Sequence, residues 1–275
     1  MTIKSILVVT DLSAHESIAV QRASQLADAH RANIKFVYLP ARADKLEELA
    51  AQARGMDLVV LPHRRDRSTA AFFRGQAVSR LLRYCRCPVL VTREMPASHY
   101  RRILVAVDFS PASEALVKLA ANLDSRAELE IFHAVCTRDE AKLRSAEATE
   151  QAVRAYRERC LKHAKDRMLA LSDSFDTRRN RFLTNIGRGD PGRQTVIQQE
   201  HSGADLVVVG KKTATAWGDF FCGSVAHRIL RWGVSDVLVV PQAYIEATAP
   251  VAAERLRQRA PRLPLEMSPA KGGLS

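Results

Sequence analysis

The chain repeats itself, and the repeat decides the fold class. "KSILVVTDLSAHESIAVQRASQLA", from Lys4, is answered by "RRILVAVDFSPASEALVKLAANLD", from Arg101. Ile6-Leu7-Val8 corresponds to Ile103-Leu104-Val105, Asp11 to Asp108 and Ser13 to Ser110. Each copy reads as an apolar run ending in Asp, then a Ser placed to accept from the free N–H groups of a helix start, then an amphipathic helix. Three further pairs recur in the same order: "ANIKFVYLP" (32–40) with "AELEIFHAV" (127–135), "GMDLVVLP" (55–62) with "GADLVVVG" (203–210), and "CPVLVTR" (87–93) with "SDVLVVP" (235–241). Runs of Val, Ile and Leu without polar alternation mark strands covered on both faces, hence a parallel sheet between helix layers. The expected class is α/β, built twice.

The copies differ in length. Between Val135 and Gly203 the second holds a long helical stretch, "DEAKLRSAEATEQAVRAYRERCLKHAKDRMLALSD", and a further strand near "RFLTNIGRG". The first passes from Tyr38 through one helix, "DKLEELAAQAR", directly into "GMDLVVLP", so four strands are expected there against five. A length of 275 residues suffices for two cores. The expected division is a truncated domain over 1–96, a full domain over 99–243, and a flexible tail over 244–275 rich in Pro, Ala and Arg. The short join lies around "EMPASHY" (94–100).

Composition narrows the function classes. With 47% hydrophobic and 26% charged residues the chain is of globular type. No run approaches the roughly 18–20 apolar residues of a membrane span, and "MTIKSILVVTD" lacks the features of a signal peptide. Five cysteines (Cys85, Cys87, Cys136, Cys160, Cys222) show no zinc spacing, the "CRC" at 85–87 being too tight, so a reduced, cytoplasmic protein is expected. The net charge is +12. Arg64, Arg65, Arg67, Arg74, Arg80, Arg83 and Arg86 crowd one part of the first copy. They read first as a solvated basic face, and as a surface for an acidic partner or nucleic acid only second, because aromatics do not interleave with them.

After "ADLVVV" the second copy continues "GKKTATAWGDFFCGSV" (210–225) into a helix; the matching place in the first reads "LPHRRDRSTAAFFRGQAV" (61–78). The order of strand-Asp-x-Ser-helix, "GADLVVVG", Gly-Ser-Val helix start and closing apolar strand, given twice, resembles the universal stress protein family in its tandem two-domain form. The resemblance covers 3–93 and 101–241. It implies two tandem doubly wound, flavodoxin-like (adenine nucleotide alpha hydrolase-like) parallel-sheet domains, the first truncated. Nucleotide-binding members carry Gly, two residues, Gly, nine residues, then Gly-Ser or Gly-Thr. Gly210, Thr213 and Gly223-Ser224 stand at that spacing here, with Val225 next. The resemblance also assigns contacts with base and sugar to Asp108, with Ala106 just before it, and to Ala134. Physically, Gly210 would let a ligand approach the backbone at a strand's carboxyl end. Gly223 and Ser224 would offer N–H groups, a hydroxyl and a helix dipole to phosphate. Thr213 departs from the pattern, since a β-branched residue resists a positive φ. Lys211 and Lys212 either offset phosphate charge or face solvent.

The first copy has Leu61 for the opening Gly, Arg64 for the middle one, and Gly75 one place late before Gln76, so no nucleotide is expected there. His63, His133, His163, His201 and His227 form no ligand set, and neither a nucleophile elbow nor a complete Walker motif occurs. His133 reads as a packing residue and Cys222 as an apolar filler. Trp217, Phe220 and Phe221 read as packing beneath the loop. No metal site and no catalysis beyond incidental ATP hydrolysis are expected. The functional expectation is a stress-response regulatory protein whose second domain holds ATP or AMP, with Mg2+ arriving only with ATP. It would act through nucleotide-dependent contact with a protein partner. The alternative is a nucleotide-free interaction protein whose basic first domain takes an acidic partner or RNA. The resemblance implies that the last strands, 88–92 and 236–240, pair within the chain as a pseudo-dimer; association of two such chains into a homodimer stays open.

Overall fold

The computed structural model describes residues 3–10, 16–38, 49, 51–63, 85–93, 99–175, 182–211 and 225–248. Its first half contains β1 (Ser5–Thr10), α1 (Glu16–His30), β2 (Asn33–Tyr38), β3 (Leu58–Pro62) and β4 (Val89–Thr92). The second contains β5 (Arg102–Ala106), α2 (Ala112–Leu123), β6 (Glu128–Val135), α3 (Arg138–Ser145), α4 (Glu150–Ser172), β7 (Phe182–Arg188), α5 (Pro191–Ser202), β8 (Leu206–Lys211), α6 (Val225–Trp232), β9 (Asp236–Pro241) and α7 (Gln242–Thr248).

All nine strands form one sheet in the order β2-β1-β3-β4-β9-β8-β5-β6-β7. Within each half every pairing is parallel, and the order reverses once, between β1 and β3 and again between β5 and β8. The described residues of the first half supply four strands and the second half five, the extra one being β7 on the outer edge. The halves join through their last strands, which run antiparallel with Val89 opposite Val239, Leu90 opposite Leu238 and Val91 opposite Val237. Both edges of β4 and of β9 are thereby filled, so neither strand offers an edge to a second chain.

Strand residues alternate between two cores. Ile6, Val8, Leu58, Val60, Leu90, Ile103, Val105, Leu129, Ile131, Leu206, Val208 and Leu238 pack under α1, α2, α4 and α7. Leu7, Val9, Val59, Leu61, Val89, Leu104, Phe132, Val207, Val209, Val237 and Val239 pack on the other face with Leu49, Ala53, α5 and α6. Burial on both faces explains the unbroken apolar runs, and every residue of β4 and β9 is buried.

The long helical stretch expected after β6 is two helices. Glu147 takes a positive φ of 55° and ends the first, and Thr149 caps the second by accepting from Ala152 N–H at 3.2 Å. Beyond Pro241 the chain packs on as α7, whose Tyr244 and Ile245 are buried in the core, so the flexible tail expected from residue 244 begins with packed helix. Residues 249–275 lie outside the described set. No described helix is long and apolar enough to cross a membrane.

A buried polar cluster secures the junction. Asp236, 1% exposed, accepts from Arg22 Nε at 3.2 Å, from the Tyr100 hydroxyl at 2.8 Å and from Arg93 N–H at 2.7 Å. The Arg22 guanidinium also lies 4.0 Å from the Tyr100 ring centroid. Burial first, then the Asp236 charge, pushes the Tyr100 phenol well above its ordinary range, so it stays a donor. The Arg93 guanidinium donates to the Leu230 and Gly233 carbonyls at the end of α6, so a first-domain side chain caps a second-domain helix.

Candidate functional site

In open α/β sheets ligands lie beyond the carboxyl ends of strands, where the order reverses. In the second domain that place lies between β5 and β8. Ala106 ends β5 opposite Phe132 and Val209, and Asp108 stands two residues on, exposed. Ala134 is buried near the end of β6, opposite Gly187. Gly210 is opposite Val240 at the end of β8, and Val225 opens α6. The topology therefore brings Ala106, Asp108, Ala134, Gly210 and Val225 to one edge of the sheet. Thr213, Gly223 and Ser224 lie outside the described residues, as do Lys212, Asp219, Trp217, Phe220, Phe221 and Cys222. The arginine-rich stretch from Arg64 to Arg83 lies outside them too.

The turn after β5 corrects one sequence expectation. Ser110 does not cap α2, whose first residue follows Pro111 without a side-chain cap. Asp108 does the local work instead: its Oδ1 accepts from Ser110 N–H at 3.0 Å and from Ser113 Oγ at 3.3 Å. The Ser110 hydroxyl is left buried without a hydrogen-bond partner, an unusual state for a buried polar atom. Phe109, between them, has a φ of +56°. Its carbonyl is held by Arg167 of α4 at 2.6 Å, and its ring lies 4.1 Å from that of His133. His133 Nδ1 lies 2.8 Å from the Val107 carbonyl. A carbonyl can only accept, so Nδ1 carries the proton. Burial lowers the His133 pKa, the Val107 bond opposing it, and the ring has the packing role expected of it.

Around α6 the site is cationic and tightly fitted. Burial, then the charges of Arg231 and Lys211, lowers the His227 pKa. Asp190 caps α5 through Arg193 N–H at 3.0 Å and pairs with Arg228 of α6. Burial works against its ionised form, but the Arg193 N–H and the Arg228 charge outweigh it and hold the carboxyl below its ordinary value. The Arg228 stem crosses Gly192, where a Cβ would meet Arg228 Cβ and Cδ at 2.9 Å. At Gly210 a Cβ would meet Leu116 Cδ1 at 3.2 Å, so the glycine has a packing reason in addition to ligand approach.

A second cluster lies at the ends of β6 and β7. Glu140 of α3, buried, accepts from Arg157 of α4 at 2.6 Å and from Arg188 of β7. The two guanidinium bonds hold its carboxyl down at about 2. The pairing staples two helices to the outer strand beside a small cleft that Tyr156 and Cys160 also line. Sequence reasoning does not reach this cluster, nor Arg167 or the Asp190–Arg228 pair. Only "DPG" at 190–192, an Asp before Pro, signals a helix start there. Among the described residues no group of His, Cys, Asp and Glu could hold a metal ion.

At the corresponding edge of the first domain, β3 ends in buried Leu61 and in Pro62, opposite Val91 and Thr92. The Thr92 hydroxyl donates to the Leu61 carbonyl at 3.2 Å. Asp11 lies outside the described residues.

Comparison with known proteins follows the same division. The profile of the universal stress protein family matches residues 41–93 and 99–241. Among solved structures, a functionally unknown protein from Pseudomonas aeruginosa PAO1 is 21% identical with a TM-score of 0.61, covering 93% of this chain and 98% of its own. The same values hold for a putative universal stress protein from P. aeruginosa UCBPP-PA14. A universal stress protein from Archaeoglobus fulgidus DSM 4304 is 15% identical, covering 86% of this chain and 98% of its own, with a TM-score of 0.54. At these identities the likeness shows the fold. No curated protein matches.

Proposed function

The chain belongs to the universal stress protein family, and from that premise we propose that its second domain binds an adenine nucleotide, ATP or AMP, while its first domain does not. The observation that carries this is the convergence of Asp108, Ala134, Gly210 and the start of α6 at the β5/β8 reversal. Asp108 and Ala134 meet base and sugar. The backbone from Gly210, with Thr213 tolerated, and the Gly223-Ser224-Val225 helix start meet the phosphates. Lys211, at the end of β8, gives this edge the positive sign that phosphate needs. The orphaned Ser110 hydroxyl beside Asp108 is a polar group that a ligand would satisfy. Mg2+ comes only as the counter-ion of ATP. Nucleotide occupancy changes the surface presented by the 210–225 loop, and a protein partner reads that surface. Any ATP hydrolysis is weak and incidental to this role.

The test is the small-molecule content of purified, heat-denatured protein by mass spectrometry. Stoichiometric ATP or AMP, absent from Gly223→Val, supports the reading. Protein without nucleotide that also fails to take up millimolar ATP removes it.

A further inference from the structure

One peptide group links Asp108 to α4. Asp108 Oδ1 accepts from Ser110 N–H at 3.0 Å. The carbonyl of that same peptide unit belongs to Phe109, and it accepts from Arg167 Nη2 of α4 at 2.6 Å. A trans peptide is planar, with its N–H and C=O pointing in opposite directions, so fixing one fixes the other. A guanidinium on the carbonyl also polarises the unit and strengthens its N–H as a donor. Phe109 takes a φ of +56°, a conformation that a non-glycine residue keeps only where its surroundings determine it. Here Arg167 holds its carbonyl, and its ring lies 4.1 Å from that of His133. Rotating this peptide would break the Arg167 bond and the Asp108 bond together. Arg167 is in turn set by its helix, where Met168 and Leu171 are buried in the core. That helix lies in the stretch by which the second copy exceeds the first.

Resting on the nucleotide reading of this site, we propose that Arg167 is a positioning residue for Asp108. Through the Phe109–Ser110 peptide it keeps the Asp108 carboxylate aimed at base and sugar, and it does not touch the nucleotide itself. Because it acts only through Asp108, its removal costs no more affinity than removal of Asp108. Once Asp108 is gone, its removal costs nothing further. The site thus depends on α4, a helix that lies outside the strand ends and turns that carry the contacts.

Full-length protein is titrated with Mg–ATP by calorimetry, and the urea midpoint of each variant is measured beside it. Arg167→Met, which keeps the stem and removes the donors, should weaken binding about fivefold. Arg167→Lys, which restores a donor, should recover most of that loss. In an Asp108→Ala background Arg167→Met should change affinity no further, as a residue acting through another is non-additive with it. Arg157→Met, which unties the same helix from Glu140, should lower the urea midpoint and leave affinity unchanged. Affinity of Arg167→Met within about twofold of wild type overturns the inference. So does an undiminished loss in the Asp108→Ala background, or equal weakening by Arg157→Met. Wild-type protein that takes up no ATP overturns the nucleotide reading itself, and this inference with it.

Discussion

Two sheet reversals stand in one molecule, built by the same order of strands. At the second, β8 runs on through Gly210 to a helix beginning at Val225, with Asp108 and Ala134 beside it. At the first, β3 closes on Leu61 and Pro62, and the hydroxyl of Thr92 already occupies the Leu61 carbonyl. The frame is shared and the chemistry is not. On the proposed reading a repeated fold does not carry a repeated site, because the strands are specified by burial and the site by a few residues at their ends.

The halves also differ at their junction, and breaking it should have the largest effect. Asp236 occupies the place that Pro88 holds in the first copy. Asp236→Ala removes the buried carboxylate that Arg22, Tyr100 and the Arg93 N–H share and should cost about 3–5 kcal/mol in urea unfolding. Asp236→Asn, which retains acceptors, should cost less.

Next comes the outer strand, which has no counterpart among the described residues of the first domain. A Cβ at Gly187 would meet Phe132 Cζ at 2.7 Å, and Phe132 is 2% exposed, so the ring has little room to yield. Gly187→Ala should destabilise by about 1–3 kcal/mol, measured in the same way. A cost near zero would show that Phe132 repacks freely.

The smallest effect belongs to Glu140, which fastens that strand's helices. Its folded pKa near 2 lies below the ordinary glutamate value of about 4.3, so its contribution is complete above that value and fades as pH falls toward 2. Glu140→Gln should therefore be less stable at neutral pH and lose less than the parent between pH 4 and 2. Thermal melts across that window check it.

Much of the fold is legible in the sequence, because the apolar runs and the two Gly-x-Asp-Leu-Val-Val segments mark strands by burial alone. The fifth strand near "RFLTNIGRG" follows from comparing the copies, and the pairing of the last strands within the chain from the family resemblance. The break between α3 and α4 is hidden, since "SAEATE" consists of residues a helix accepts, and only the positive φ of Glu147 reveals it. Ser110 misleads for a local reason: Ser113 N–H, the donor a capping hydroxyl would take, bonds to the Ser110 carbonyl at 2.9 Å. Arg22 and Asp236 are 214 residues apart, and no local pattern can pair them. At the candidate site the edge residues are found by motif, but their supports, Arg167 and Arg228, depend on tertiary packing.

The central contrast is one nucleotide site in a chain of two domains, and the titration of full-length protein with Mg–ATP by calorimetry tests it most directly. The account predicts one site per chain, unchanged in Asp11→Ala and weakened about tenfold in Asp108→Ala, the loss of one hydrogen bond to a charged group. Two sites per chain, or binding lost with Asp11 and indifferent to Asp108, would contradict it.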